Sequence, residues 1–212
     1  MPARVDAFHV ALNELRRRLR NGSLVPGSRL AIRDIADQLG LSQTPVREAM
    51  ARLSGEGMLL ERRGSGFSVP VLSGVDIADH HRLRRDILLI AQAEDRAAWR
   101  NLAPTLTRPS DDPIHTVEQI FQLWAAESGS RILVEAQRMH SNRLITARRV
   151  EARLIEDLVS EAEQLSQLID PGKRRFRPAA LAAFHARRIE LADQLARLLD
   201  PDAVYEPEQQ DI

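Results

Sequence analysis

Residues 39–53 read LGLSQTPVREAMARL, and they combine two signals that a single ordinary helix would not carry together. Gly40 suits the end of a preceding helix, where the left-handed conformation costs glycine nothing. Directly after it, Ser42 or Thr44 can cap a new helix, Pro45 suits its first turn, and Glu48 can complete a capping box. Val46, Ala49, Met50 and Leu53 recur at spacings of three and four, which makes them the buried stripe. Gln43, Thr44, Arg47 and Arg52 are left on the other side. The stretch predicts the end of one helix, a tight turn, and a second helix that starts with small polar groups and an arginine.

Working outward, residues 5–20 place Val5, Phe8, Leu12, Leu15 and Leu19 at helical spacing. NGSLVPGSRL (21–30) follows, where Asn21-Gly22 and Pro26-Gly27 mark a turn. IRDIADQLG (32–40) supplies the short helix before the turn, and MLLERRGSGFSV (58–69) reads as two short strands around Arg63-Gly64-Ser65-Gly66. Three helices followed by a basic-tipped β-hairpin is the order of a winged helix-turn-helix. In that design the second helix of the pair enters the major groove, and its early N–H groups, hydroxyls and arginines meet phosphates. The competing reading is a small helical bundle whose capped helix has no partner.

Composition narrows the field. The chain of 212 residues is long enough for two modest cores, and its 43% hydrophobic and 28% charged content is that of a globular protein. No apolar run approaches the ~20 residues of a membrane span. The start, MPARVDAFHV, lacks the order of a signal peptide, and cysteine is absent, which excludes disulfides and thiolate metal sites. The expected compartment is the cytoplasm. A net charge of zero hides an asymmetry: residues 1–70 carry eleven arginines against seven acids, and the remainder compensates with four more acids than bases. A basic first third suggests a polyanionic partner.

The stretch PGSRLAIRDIADQLGLSQTPVREAMARLSGEGMLLERRGSGFSV (26–69) resembles the DNA-binding domain of GntR-family bacterial transcription regulators. The resemblance is carried by Pro26-Gly27 before Leu30, the Leu39-Gly40-Leu41-Ser42 turn, Thr44-Pro45-Val46-Arg47-Glu48-Ala49, and Gly57 before the wing. It implies a homodimer on a pseudo-palindromic double-stranded operator, one half-site per winged helix. Transferred by position, Arg33, Ser42, Gln43, Thr44, Arg47, Arg63 and Gly64 would contact DNA. Position 43 is often arginine in the family, where it can read guanine; Gln43 favours adenine on the same geometric grounds, or reaches a phosphate.

Beyond Pro70 only helical patterns follow. Expected boundaries are a winged helix-turn-helix over 1–70, a linker at 71–75, an all-helical sensor and dimerisation bundle over 76–202, and a polar tail at 203–212. The helices are expected at 75–102, at 114–128, at 130–169 as one or two, and at 178–199. DIADHHRLRRDILLIAQAEDRAA (76–98) and EQIFQLWAAESGSRILVEA (118–136) resemble parts of the FCD domain, the sensor of FadR-type members. That resemblance implies a pocket for a small carboxylate, with a divalent metal held by one Asp and three His. Here Glu118 stands at the Asp position, Gln122 replaces the first His, Glu161 to Glu163 cover the second, and His185 is the remaining candidate for the third. A neutral amide is a poor zinc ligand, so loss of the metal is the expectation. Arg84, Glu118, Gln122, Glu163 and His185 are the expected effector pocket.

His80 and His81, adjacent on a helix, face different directions and do not suggest a shared ion. Arg84, Arg138, Arg143, Arg148 and Arg149 could neutralise an anionic effector, or pair with acids on helix surfaces. Trp99 and Trp124 could line a pocket or a dimer seam. Two function classes stand: a metabolite-responsive regulator, expected to be a repressor, and a constitutive DNA-binding dimer whose sensor pocket has decayed. Enzymatic turnover is not expected, because no nucleophile elbow, phosphate loop or acid–base motif is present.

Overall fold

The computed structural model describes residues 6–62, 66–93 and 112–200. Ten α-helices and a three-stranded sheet lie within them. Helix α1 (Ala7–Asn21) starts on Asp6, whose carboxylate accepts from the Phe8 N–H at 3.1 Å, and ends on Gly22 at φ 78°. Helix α2 (Ile32–Leu39) stops at Gly40, left-handed as expected, and α3 spans Gln43–Gly55. Leu12, Leu15 and Leu19 of α1 pack against Val46, Ala49, Met50 and Leu53 of α3. Each of these larger side chains stabilises the fold by about 1.5–3 kcal/mol relative to exposure.

The wing holds one strand more than expected. Strand β1 (Arg29–Leu30) pairs with β3 (Gly66–Ser68), which also pairs with β2 (Leu60–Arg62), giving the antiparallel order β1-β3-β2. Leu30 opposes Phe67, and both are buried. A two-residue strand is too short to show alternation in the sequence; the pairing of Leu30 with Phe67 creates it.

The C-terminal domain is helical. Helix α4 (Gly74–Ala93) packs against α9 (Arg177–Glu190), α6 (Arg131–Arg143) and α5 (Pro113–Ala126). The 130–169 region is three helices, not one or two: α6, α7 (Ile145–Val150) and α8 (Leu158–Gln167), with a 3-10 turn at Glu151–Arg153. The expected helix over 178–199 is likewise two, α9 and α10 (Ala192–Leu199), with Leu191 between them. Neither Leu144 nor Leu191 is a helix breaker, so no local signal marks these bends. At the first of them, Leu144 enters the core of Leu72, Ile77 and Leu195, while its neighbour Ile145 enters the winged-helix core. Trp124 is fully buried with Ile120, Phe121 and Phe184, which corrects its expected place in a pocket or seam; Trp99 lies outside the described residues. Among the described residues, no helix is long and apolar enough to cross a membrane.

Candidate functional site

Two polar regions follow from this fold, one on the outer face of α3 and one between the domains. On α3 the apolar stripe faces α1, so Gln43, Thr44 and Arg47 are exposed, with Ser42 just before them. None of the four has an ion-pair or hydrogen-bond partner among the described residues. The expected capping box is not formed: Ser42 holds the N-cap position at φ −72°, ψ 161°, but its hydroxyl makes no cap bond. The first-turn N–H groups of α3 therefore still lack intrahelical partners, the state suited to an anion. Arg33 is exposed on α2, at 3.9 Å from Asp37, a surface contact worth little in water. Arg52 is engaged: it donates to Glu56 at 2.8 Å, and Arg16 of α1 grips the same carboxylate at 2.7 Å. Arg63 and Gly64 lie outside the described residues; Arg62, at the end of β2, is exposed.

The second region is a cleft of about 540 Å³. Arg16 and Arg20 of α1 and Glu56 and Met58 after α3 form one wall; α5, α6 and α7 form the other. Glu118 lies at its inner end. Arg84 donates to both Glu118 oxygens at 2.8 and 3.0 Å, and Arg148 and the Ser141 hydroxyl also reach the carboxylate. Burial opposes ionisation of Glu118, but the guanidiniums of Arg148 and Arg84 outweigh it and hold the group well below the usual carboxylate range.

Of the expected effector residues, the structure brings Arg84 and Glu118 together, and Gln122 joins Glu118 along the cleft. It does not bring Glu163, which is exposed on α8, or His185, which is fully buried and pairs through Nδ1 with Nδ1 of His81 at 3.1 Å. On α8 it is Glu161 that turns inward, where it and Glu151 hold Arg188. The five do not form one pocket. The divalent metal that the FCD resemblance implies does not fit these residues either. Both Glu118 oxygens already meet cationic donors, Gln122 is neutral, and among the described residues no three His, Asp or Glu converge as ligands.

His80 and His81 do face different ways: His80 meets His140 at 2.9 Å, Nδ1 to Nδ1, and His81 meets His185. Arg84 and Arg148 pair inside the protein rather than on helix surfaces, whereas Arg143 packs over Gly57 and Arg149 over Gly22. Sequence reasoning passed over Arg16, Arg20, Glu56 and Ser141. Arg16 and Arg20 are one turn apart on α1, at the edge of the leucine stripe, where a long cationic side chain ordinarily reaches solvent.

Residues 10–69 match the model of the gntR family of bacterial regulatory proteins. The HTH-type transcriptional regulator McbR of Escherichia coli (strain K12) is 37% identical over 109 residues, covering 49% of this chain and 48% of McbR. The chain spans about half, or less, of the length of the curated relatives it matches. The solved structure of E. coli McbR/YncC superposes with a TM-score of 0.62 at 22% identity, over 90% of this chain and 98% of that one. A transcriptional regulator GntR from Rhodococcus sp. RHA1 superposes with a TM-score of 0.65 at 16% identity, over 87% and 96%. These two likenesses establish the fold alone. Over residues 10–69, a winged helix-turn-helix with an open polar face on its third helix, the chain is similar to the gntR family of bacterial regulatory proteins.

Proposed function

We propose that the protein is a DNA-binding transcription regulator that grips a pseudo-palindromic operator as a homodimer and represses until a small organic acid releases it. The observation that carries this reading is the exposed, unpartnered set Ser42, Gln43, Thr44 and Arg47 at the uncapped start of α3. Arg33 would add a phosphate contact, and Arg63 and Gly64 would follow the backbone from the wing. In this reading the chain divides at residues 71–75 into a DNA-binding and a sensor domain. Leu83 and Ile90 are exposed on α4, and half-buried Ile87 lies on the same face, an apolar strip that supports self-association there.

Fluorescence anisotropy on labelled duplexes, guided by selection of genomic fragments, tests the DNA reading. Affinity should fall steeply with salt, because each neutralised phosphate releases counterions. Absence of salt-sensitive binding to any duplex would overturn it. Sedimentation of L83D/I90D against the parent chain tests self-association; a dimer unaffected by both charges removes α4 as the seam. One observation favours a second reading, a constitutive DNA-binding dimer: the polar centre at Glu118 is already filled by Arg84, Arg148 and Ser141. A full chain whose melting temperature no organic anion moves would support that alternative.

A further inference from the structure

At the centre of the helical domain the charge of Glu118 is already met by two guanidiniums. Arg84 is fully buried against Glu118, and behind it His81 and His185 are buried on each other. The open space lies on the other side of Glu118, in the cleft between the domains, and there the charges do not balance. Arg16, Arg20, Arg138 and Arg148 line it against two acids, Glu56 and Glu118. Each of those acids is already shared: Glu56 by Arg16 and Arg52, Glu118 by Arg148 and Arg84. Arg20 and Arg138 have no ion-pair or hydrogen-bond partner among the described residues. Partial burial and the neighbouring guanidiniums of Arg148 and Arg16 lower the pKa of Arg20, and Asp112 at the start of α5 offsets this in part.

We propose that this cleft is the effector site and that its ligand is a small dicarboxylate, clamped between the winged helix by Arg20 and the helical domain by Arg138. Two guanidiniums, one on each wall, match a ligand with a carboxylate at each end, since the planar fork of arginine pairs with a carboxylate through two parallel bonds. Met58, Leu123 and Ile145 supply an apolar lining for the carbons between them, and His115, Gln119 and Gln122 offer neutral hydrogen-bonding groups. A volume of about 540 Å³ suits a metabolite.

The position carries the regulation. The walls are joined by few polar contacts, among them the Asn142 amide donating to the Glu56 carbonyl at 3.3 Å. Glu56 is also the residue that ties the end of α3 to α1. A ligand held by both walls stabilises one orientation of the winged helix over others, which is the differential binding that a switch requires. That consequence rests on the DNA-binding reading; occupancy of the cleft does not.

Titration calorimetry of the full chain without DNA, using succinate, glutarate, acetate and inorganic phosphate, tests the site. Succinate or glutarate should bind saturably and acetate at least tenfold more weakly. R20A and R138A should each weaken the dicarboxylate tenfold or more, while R47A, on the outer face of α3, leaves it unchanged. The proposal fails if neither dicarboxylate binds, if both cleft variants bind as the parent does, or if R47A is the variant that loses binding. Phosphate binding as tightly as the dicarboxylates overturns the ligand class. Adding the bound dicarboxylate to the protein–duplex complex should change duplex affinity fivefold or more. An unchanged affinity, with binding intact, overturns the regulatory role alone.

Discussion

Gln43 and Arg47 stand one turn apart on the open face of α3, and their chemistry separates their effects. Arginine is a permanent charge that any duplex attracts, whereas an amide discriminates only where both its donor and its acceptor find a base edge. R47A should therefore weaken binding to operator and random duplex alike. Q43A should mainly erode preference between them, by ~1–3 kcal/mol, read as the ratio of the two dissociation constants. Equal losses on both duplexes for both variants would refute the split. A different kind of residue is Arg188, 1% exposed and held by Glu151 at 2.8 Å and Glu161 at 2.7 Å. Burial raises the pKa of Glu151, and the neighbouring Arg188 pulls it back down in part. R188M leaves two acids facing each other without their cation, and urea unfolding should show a loss of about 3–5 kcal/mol. A loss under 1 kcal/mol would mean that the acids relax into water. The α3 residues were legible in the sequence because a capped helix advertises its start. The partners of Arg188 were not, because they come from segments 27 and 37 positions away.

At the scale of the element, short-range signals placed the helices and long-range packing placed their breaks. Asp6, Gly22, Gly40 and Pro113 do what their chemistry suggests: they cap, stop or begin a helix. The bends at Leu144 and Leu191 have no such signature. Leu144 and Ile145 are adjacent yet serve two cores. Gly57 joins α3 to the wing at φ 78°, where its missing side chain leaves room for Arg143; a Cβ would lie 3.1 Å from that side chain. G57A should cost about 1–2 kcal/mol through the left-handed backbone alone. If Arg143 braces the joint, R143A should cost less in the G57A background than in the parent. Additive losses would show that the contact is incidental.

For the whole molecule, two imidazole pairs tie α4 to α6 and to α9. Burial, chiefly, lowers the pKa of His140 to about 4, with His80 and the nearby Arg84 and Arg143 adding repulsion; His80 is also lowered, mainly by burial. His81 and His185 are pushed well down, first by burial. The unfolded chain protonates its histidines near pH 6.5, above all four folded values, so it binds more protons than the native state once the pH falls below that point. Stability from these groups is therefore complete above about pH 6.5 and declines as the pH falls, with the His140 share lost by about pH 4. The melting temperature should drop between pH 7 and pH 5, and H140Q should flatten the slope; an unchanged slope would assign the effect elsewhere.

The amino-acid sequence by itself determined the winged helix-turn-helix, the open polar face of its third helix and the helical character of the rest. All three follow from signals within a few residues: a periodic stripe, a left-handed glycine, a proline in a first turn. Only the tertiary structure decided that Glu118 would be enclosed by Arg84 and Arg148, and that Glu163 and His185 would lie apart from it. It also decided that Arg16 and the exposed Arg20 would line a cleft between the domains. The reason is physical. A charged side chain's partners are set by which helices come to lie against it, and helix spacing says which face a residue occupies but not what that face will meet.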